Sequence, residues 1–204
     1  MNKFKVNKNN IPNLLTLFRM VLILPLLIIF PIAWALSINT NLSSINIALT
    51  SIILVIFVIA MFTDFLDGYL ARKWKVVSNF GKLWDPLADK VMTTSVLIFL
   101  AWMNIIPFWI VVILVIRDIV VDGARVVMSK NNISIAANLY GKLKTLVLSI
   151  AIIFVMIMYL SLGNLFSNNL YVLLFNIPTL IGLALSLISG FIYLKTTFKI
   201  NKTK

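Results

Sequence analysis

The stretch DFLDGYLARKWKVVSNFGKLWDPLAD, residues 64–89, contains four of the six acidic residues of the chain, Asp64, Asp67, Asp85 and Asp89. The other two are Asp118 and Asp122, and there is no Glu. In a chain that is 61% hydrophobic with a formal net charge of +12, four carboxylates gathered in one stretch are not there for solubility. The surrounding sequence reads as a membrane scaffold that holds them in place.

Long apolar runs lie on both sides of the stretch. A mean hydropathy of +1.05 with 12% charged residues belongs to the membrane class. A helix needs about 20 mostly apolar residues to cross a bilayer. Six runs meet that need: Leu14 to Leu36, Ile45 to Asp67, Asp85 to Met103, Pro107 to Met128, Tyr140 to Leu162 and Leu170 to Leu194. The expected fold is an all-α integral membrane protein of six transmembrane helices. Residues 1–204 form one domain, with basic tails at 1–13 and 195–204 and the site at the ends of helices 2 and 3. The first run is too long for a cleavable leader and lacks a small-residue cleavage site.

Charge sets the expected orientation. Lys3, Lys5 and Lys8 precede the first run, Arg72, Lys73, Lys75 and Lys82 follow the second, Lys130 follows the fourth, and Lys195, Lys199, Lys202 and Lys204 follow the sixth. The alternate connections, Ser37 to Ser44, Asn104 to Ile106 and Gly163 to Asn169, carry no charge. By the positive-inside rule both termini and the Asp-rich loop face the cytoplasm, with the chain in the cell membrane.

With neither Cys nor His, the chain has no disulfides, no thiol or imidazole metal ligands and no Ser/His or Cys/His catalytic pair. Any metal must be held by oxygen, which suits magnesium, manganese or calcium. Asp64 and Asp67 are spaced i, i+3 and Asp85 and Asp89 i, i+4, so each pair shares a helix face. Four such carboxylates at one membrane level repel one another unless a cation lies among them. In IPNLLTLFRMVLILP, Asn13, Thr16 and Arg19 recur at i+3, and an Arg that deep either snorkels to the interface or faces a polar site. Arg117 and Asp118 lie within an apolar run and by default face the bundle interior, although adjacent helical residues point about 100° apart and are no automatic pair. Ser and Gly in the last two runs suit close helix packing.

Written out, the central stretch is Asp64-x2-Asp67-Gly68-x2-Ala71-Arg72-x8-Gly81-x3-Asp85-x3-Asp89. This resembles the signature of the CDP-alcohol phosphotransferase family at every specified position. The resemblance implies a membrane enzyme that transfers a substituted phosphoryl group from a CDP-linked donor to an alcohol and releases CMP. It implies that Asp64, Asp67, Asp85 and Asp89 bind divalent metal, Mg2+ or Mn2+ and two ions, with Asp89 also the general base. Two such ions about 3.5–4 Å apart clamp a diphosphate. Gly68, Arg72 and Gly81 would line the CDP site, with CDP-diacylglycerol as donor. PNLLTLFR and the segment from Arg117 through LYGKLKT resemble the members that take sn-glycerol 3-phosphate. Arg117, Arg125, Lys142 and Lys144 would then bind the acceptor phosphate, and Thr63 a hydroxyl; Asn13, Thr16 and Arg19 are further candidates. Such members commonly have Arg-Glu where this chain has Arg117-Asp118, which leaves Asp118 outside the expected set. Membrane lipids and a second copy in a homodimer are the implied partners, and nucleic acid is not.

Other readings place Asp in a helical bundle. Members that take inositol phosphate or a second lipid share the signature and differ in the acceptor. A divalent-cation transporter would carry carboxylates near the midplane with internal repeats or broken helices. A membrane prenyltransferase would show two Asp-rich motifs far apart in sequence.

Overall fold

The computed structural model describes residues 11–39, 43–74, 79–130 and 139–201. Among the described residues every regular element is helical. They are α1 (Ile11–Asn39), α2 (Ser43–Trp74), α3 (Asn79–Trp102), α4 (Phe108–Lys130), α5 (Leu139–Leu162), a short α6 (Asn169–Phe175) and α7 (Ile177–Asn201), with a 3-10 turn at Gly163–Ser167.

The burial pattern is that of helices in lipid. Leu14, Phe62, Phe65, Ile119, Ile150 and Phe191 are exposed, whereas Thr16, Arg19, Asp67, Lys144 and Ser186 are buried. In water, uncovered apolar surface would be unfavourable by about 25 cal/mol per Å2, and hydrocarbon removes that penalty. Polar groups turn inward because lipid offers them no hydrogen bonds. The chain is a multi-pass membrane protein.

Four segments among the described residues are long and apolar enough to cross a bilayer: Ile11–Ala33, Ile45–Trp74, Leu143–Ser167 and Ile177–Thr197. The sequence also predicts spans over α3 and α4. These helices are as long as α5, but α3 carries Asp85, Asp89 and Lys90 and α4 carries Arg117, Asp118, Asp122 and Arg125, so neither is as apolar.

The chain divides into two compact units, Met1–Phe99 and Leu100–Lys204. In the first, α1 packs along α2. Leu26, Ile53, Phe57 and Ala60 are buried, and Phe30 stacks on Phe99 of α3 with ring centroids 5.1 Å apart. This packing turns one face of α1, with Thr16 and Arg19, toward α2 and α3.

In the second unit α4 and α5 both pack on α7. Gly182 of α7 faces Leu148 of α5, where a Cβ would lie at ordinary contact distance, 3.5 Å from the Leu148 Cα. Asn176, wholly buried at the break between α6 and α7, donates from Nδ2 to the carbonyls of Ile105 at 2.9 Å and Val172 at 2.8 Å. The Ile105 turn itself depends on Asn104 at φ 57°, a left-handed conformation that Asn tolerates. These bonds fix where α7 starts, and hence the register at which Ser186 and Gly190 face α4.

Candidate active site

In the first unit the site is built around Arg19. The residue is wholly buried on α1, and its guanidinium reaches two carboxylates one turn apart on α2. Nη2 donates to Asp67 Oδ2 at 2.5 Å, and Nη1 forms an ion pair with Asp64 Oδ1 at 2.7 Å. Asp64 is 45% exposed and Asp67 only 6%, so the pair opens at Asp64 and closes at Asp67. Arg19 Nε, also buried, has no hydrogen-bond partner among the described residues. One turn earlier on α1, Thr16 Oγ1 lies 2.5 Å from Asp85 Oδ1 of α3 and 3.1 Å from the Pro12 carbonyl. Thr16 and Arg19 therefore share the face expected of them, and that face meets three of the four signature carboxylates.

The fourth, Asp89, is half-buried one turn beyond Asp85 on α3, and Asn13 is half-buried in the first turn of α1. Arg72 is exposed and folds back over Gly68, its Nη2 and Nη1 lying 3.8 and 3.9 Å from where a Gly68 Cβ would stand. Gly81 is buried in the first turn of α3. Thr63, buried beside Asp64, donates to the Ala60 carbonyl at 2.7 Å and lines an apolar groove with Leu14, Phe18 and Val21.

The donor set can be tested against a divalent ion. No three carboxylates among the described residues are close enough to share one. Asp64 and Asp67 nevertheless converge on a single positive group from one helix face. Two hard oxygen donors presented together to one cation suit Mg2+ or Mn2+, so these residues fit as part of such a site.

In the second unit the basic residues gather on a carboxylate that the sequence left aside. Asp118 Oδ1 accepts from Lys144 Nζ of α5 at 2.5 Å and from Arg117 Nη1 at 2.8 Å. Adjacent helical positions diverge, yet the guanidinium is long enough to turn back to its neighbour. Arg117 Nε donates to the Ser186 carbonyl of α7 at 2.7 Å, and a Cβ on Gly190 would lie 3.0 Å from that nitrogen. Helix α7 thus does more than pack, because its backbone holds Arg117. Arg125 stands apart from this cluster: half-exposed, it lies 3.9 Å from Asp122 and 5.0 Å over the ring of Tyr193. The Lys142 side chain lies outside the described residues.

Sequence reasoning left Asp118 outside the expected set and did not anticipate its pairing with Lys144. The signal that could have found it was charge economy, since a carboxylate within an apolar run needs a cation nearby.

Carboxylates that converge on a buried cation, arranged along a signature of Asp, Gly and Arg in a helical membrane protein, define a class. The CDP-alcohol phosphatidyltransferase family model matches residues 9–189, and the chain belongs to that family. The chain is 38% identical over 210 residues to the CDP-diacylglycerol–glycerol-3-phosphate 3-phosphatidyltransferase of Mycoplasma pneumoniae, with 98% of this chain and 92% of the relative covered. It is 42% identical over 158 residues to the protein of that name from Mycoplasma genitalium, covering 75% of this chain and 67% of the relative. The Bacillus subtilis protein of the same name is 42% identical over 139 residues, covering 67% of this chain and 70% of the relative.

Proposed function

We propose that this protein transfers the phosphatidyl group of CDP-diacylglycerol to sn-glycerol 3-phosphate, giving phosphatidylglycerophosphate and CMP. The family membership, the complete signature and the names of its relatives support the reaction. The observation that carries the choice of acceptor is the meeting of Arg117 and Lys144 from two helices on Asp118. A phosphorylated acceptor needs such a pair of buried cations, and a neutral alcohol does not.

In this reading Asp64, Asp67, Asp85 and Asp89 hold divalent metal, Mg2+ or Mn2+ and two ions. When bound, the metal polarises the donor diphosphate and offsets charge on the leaving CMP. Asp89 takes the proton of the acceptor hydroxyl as general base. Gly68, Arg72 and Gly81 line the CDP site, with Arg72 as a forked donor to phosphate. The buried Arg19 holds Asp64 and Asp67 at their spacing, and Thr16 does the same for Asp85. Arg117, Lys144 and Lys142 bind the acceptor phosphate, with Arg125 at its margin and Thr63 as a hydroxyl donor.

The reading includes α3 and α4 as the third and fourth of six spans, both termini and the site on the cytoplasmic side of the cell membrane, and a homodimer. Purified protein in detergent tests it through CMP release from CDP-diacylglycerol, comparing glycerol 3-phosphate with inositol phosphate, serine and phosphatidylglycerol. Release with glycerol 3-phosphate alone supports the proposal; release with another acceptor in its place refutes the acceptor assignment.

A further inference from the structure

We infer that Asp118 is a positioning residue that sets acceptor affinity by holding Lys144 and Arg117 as a preformed seat for the acceptor's phosphate. The inference rests on the proposed phosphorylated acceptor and assigns a role to a residue outside the signature.

The geometry starts from burial. The Lys144 side chain is 8% exposed and that of Arg117 11%, so each needs a counter-charge where it stands. Both find it on one atom, Asp118 Oδ1, at 2.5 and 2.8 Å. Without that carboxylate, two cations from different helices would face each other in a place with little water. The flexible ammonium would move first, since Lys withdraws along its stem toward water when burial becomes unfavourable. Arg117 is held on its other side by α7: Nε donates to the Ser186 carbonyl at 2.7 Å, and the absent side chain of Gly190 leaves room for it. Asp118 and Ser186 therefore immobilise Nη1 and Nε, and Nη2 has no hydrogen-bond partner among the described residues. The two cations outnumber the one carboxylate they share, so they can attract an anion without the mutual repulsion of a bare pair. Groups fixed before the ligand arrives lose less freedom on binding, so preorganisation strengthens affinity.

A purely structural role makes a different prediction. Removing one partner of a buried ion pair is destabilising, so a purely structural Asp118 would lower stability and impair the use of both substrates alike, with no selective rise in the acceptor KM.

The test is steady-state CMP release by purified protein in detergent, with each substrate varied in turn. Asp118→Asn keeps the shape and removes the charge; it should raise the KM for glycerol 3-phosphate by about tenfold or more and leave the KM for CDP-diacylglycerol within about twofold. Asp118→Glu restores the charge and should return the acceptor KM to within about threefold of the parent. An unchanged or lowered acceptor KM in Asp118→Asn, or equal rises for both substrates, overturns the inference. A second comparison covers the case in which Asp118→Asn does not fold. If Asp118 acts through Lys144 and Arg117, the acceptor KM of the triple variant Arg117→Met/Asp118→Asn/Lys144→Met should equal that of the double variant Arg117→Met/Lys144→Met. A further rise in the triple variant overturns the inference. Should the parent protein use inositol phosphate in place of glycerol 3-phosphate, the proposed acceptor falls, and the same variants tested with inositol phosphate still decide the role of Asp118.

Discussion

Arg19 of α1 donates to Asp67 of α2 at 2.5 Å, and Arg19 is wholly buried. This bond joins a helix outside the signature to one inside it. A charged pair in such a place stabilises only while both partners remain, because losing one leaves the other buried and unpaired. Arg19→Gln should therefore lower the stability of the purified protein by about 3–5 kcal/mol. Thermal unfolding in detergent reads this as a clear fall in midpoint, with Arg19→Lys intermediate. An unchanged midpoint in Arg19→Gln would show that Asp67 does not depend on Arg19.

Asp89 carries the proton-transfer assignment. Asp89→Asn should lower CMP release by about 10²–10⁴-fold, with the elution profile and thermal midpoint of the parent retained. Full activity in a folded Asp89→Asn protein would remove Asp89 as the base.

The two arginines of α4 should separate. Arg117 lies in the Asp118 cluster, whereas Arg125 lies with Asp122 and Tyr193. Arg117→Ala should raise the acceptor KM by about tenfold or more, and Arg125→Ala by less than about threefold. Equal effects in acceptor titrations would contradict this division.

Two glycines offer a steric test. A Cβ at Gly190 would press on Arg117 Nε at 3.0 Å, whereas one at Gly123 meets nothing within 4 Å among the described residues. Gly190→Ala should displace Arg117 from the Ser186 carbonyl and raise the acceptor KM about threefold or more. Gly123→Ala should leave both KM values alone and add up to about 1 kcal/mol of helix stability. A raised acceptor KM in Gly123→Ala, or none in Gly190→Ala, would count against the steric account.

The helical, membrane-spanning character and the residues of the signature were legible in the sequence, because hydropathy runs and fixed spacing are local properties. Periodicity also placed Thr16 and Arg19 on one face. What it could not supply was the partner across a helix interface. Arg19 had two outlets at its depth, snorkelling or facing a site, and only the packing of α1 on α2 selects the second. Asp118 and Lys144 are 26 residues apart on different helices, so no local pattern joins them. Arg117 and Asp118 diverge by helical geometry and still pair, because side-chain length decides what backbone direction does not. The hold of Ser186 on Arg117 was hidden for a different reason: it uses a backbone carbonyl, which every residue has.

In the proposed reaction, carboxylates held by Arg19 and Thr16 serve metal-dependent transfer from CDP-diacylglycerol to a phosphorylated acceptor. CMP release by the purified protein, with CDP-diacylglycerol and glycerol 3-phosphate, before and after removal of divalent metal by EDTA, tests it most directly. CMP is expected only when both substrates are present, with loss of release in EDTA and recovery on adding Mg2+ or Mn2+. Release that survives EDTA would contradict the role given to the four Asp, and release with serine or phosphatidylglycerol in place of glycerol 3-phosphate would contradict that of Arg117 and Lys144.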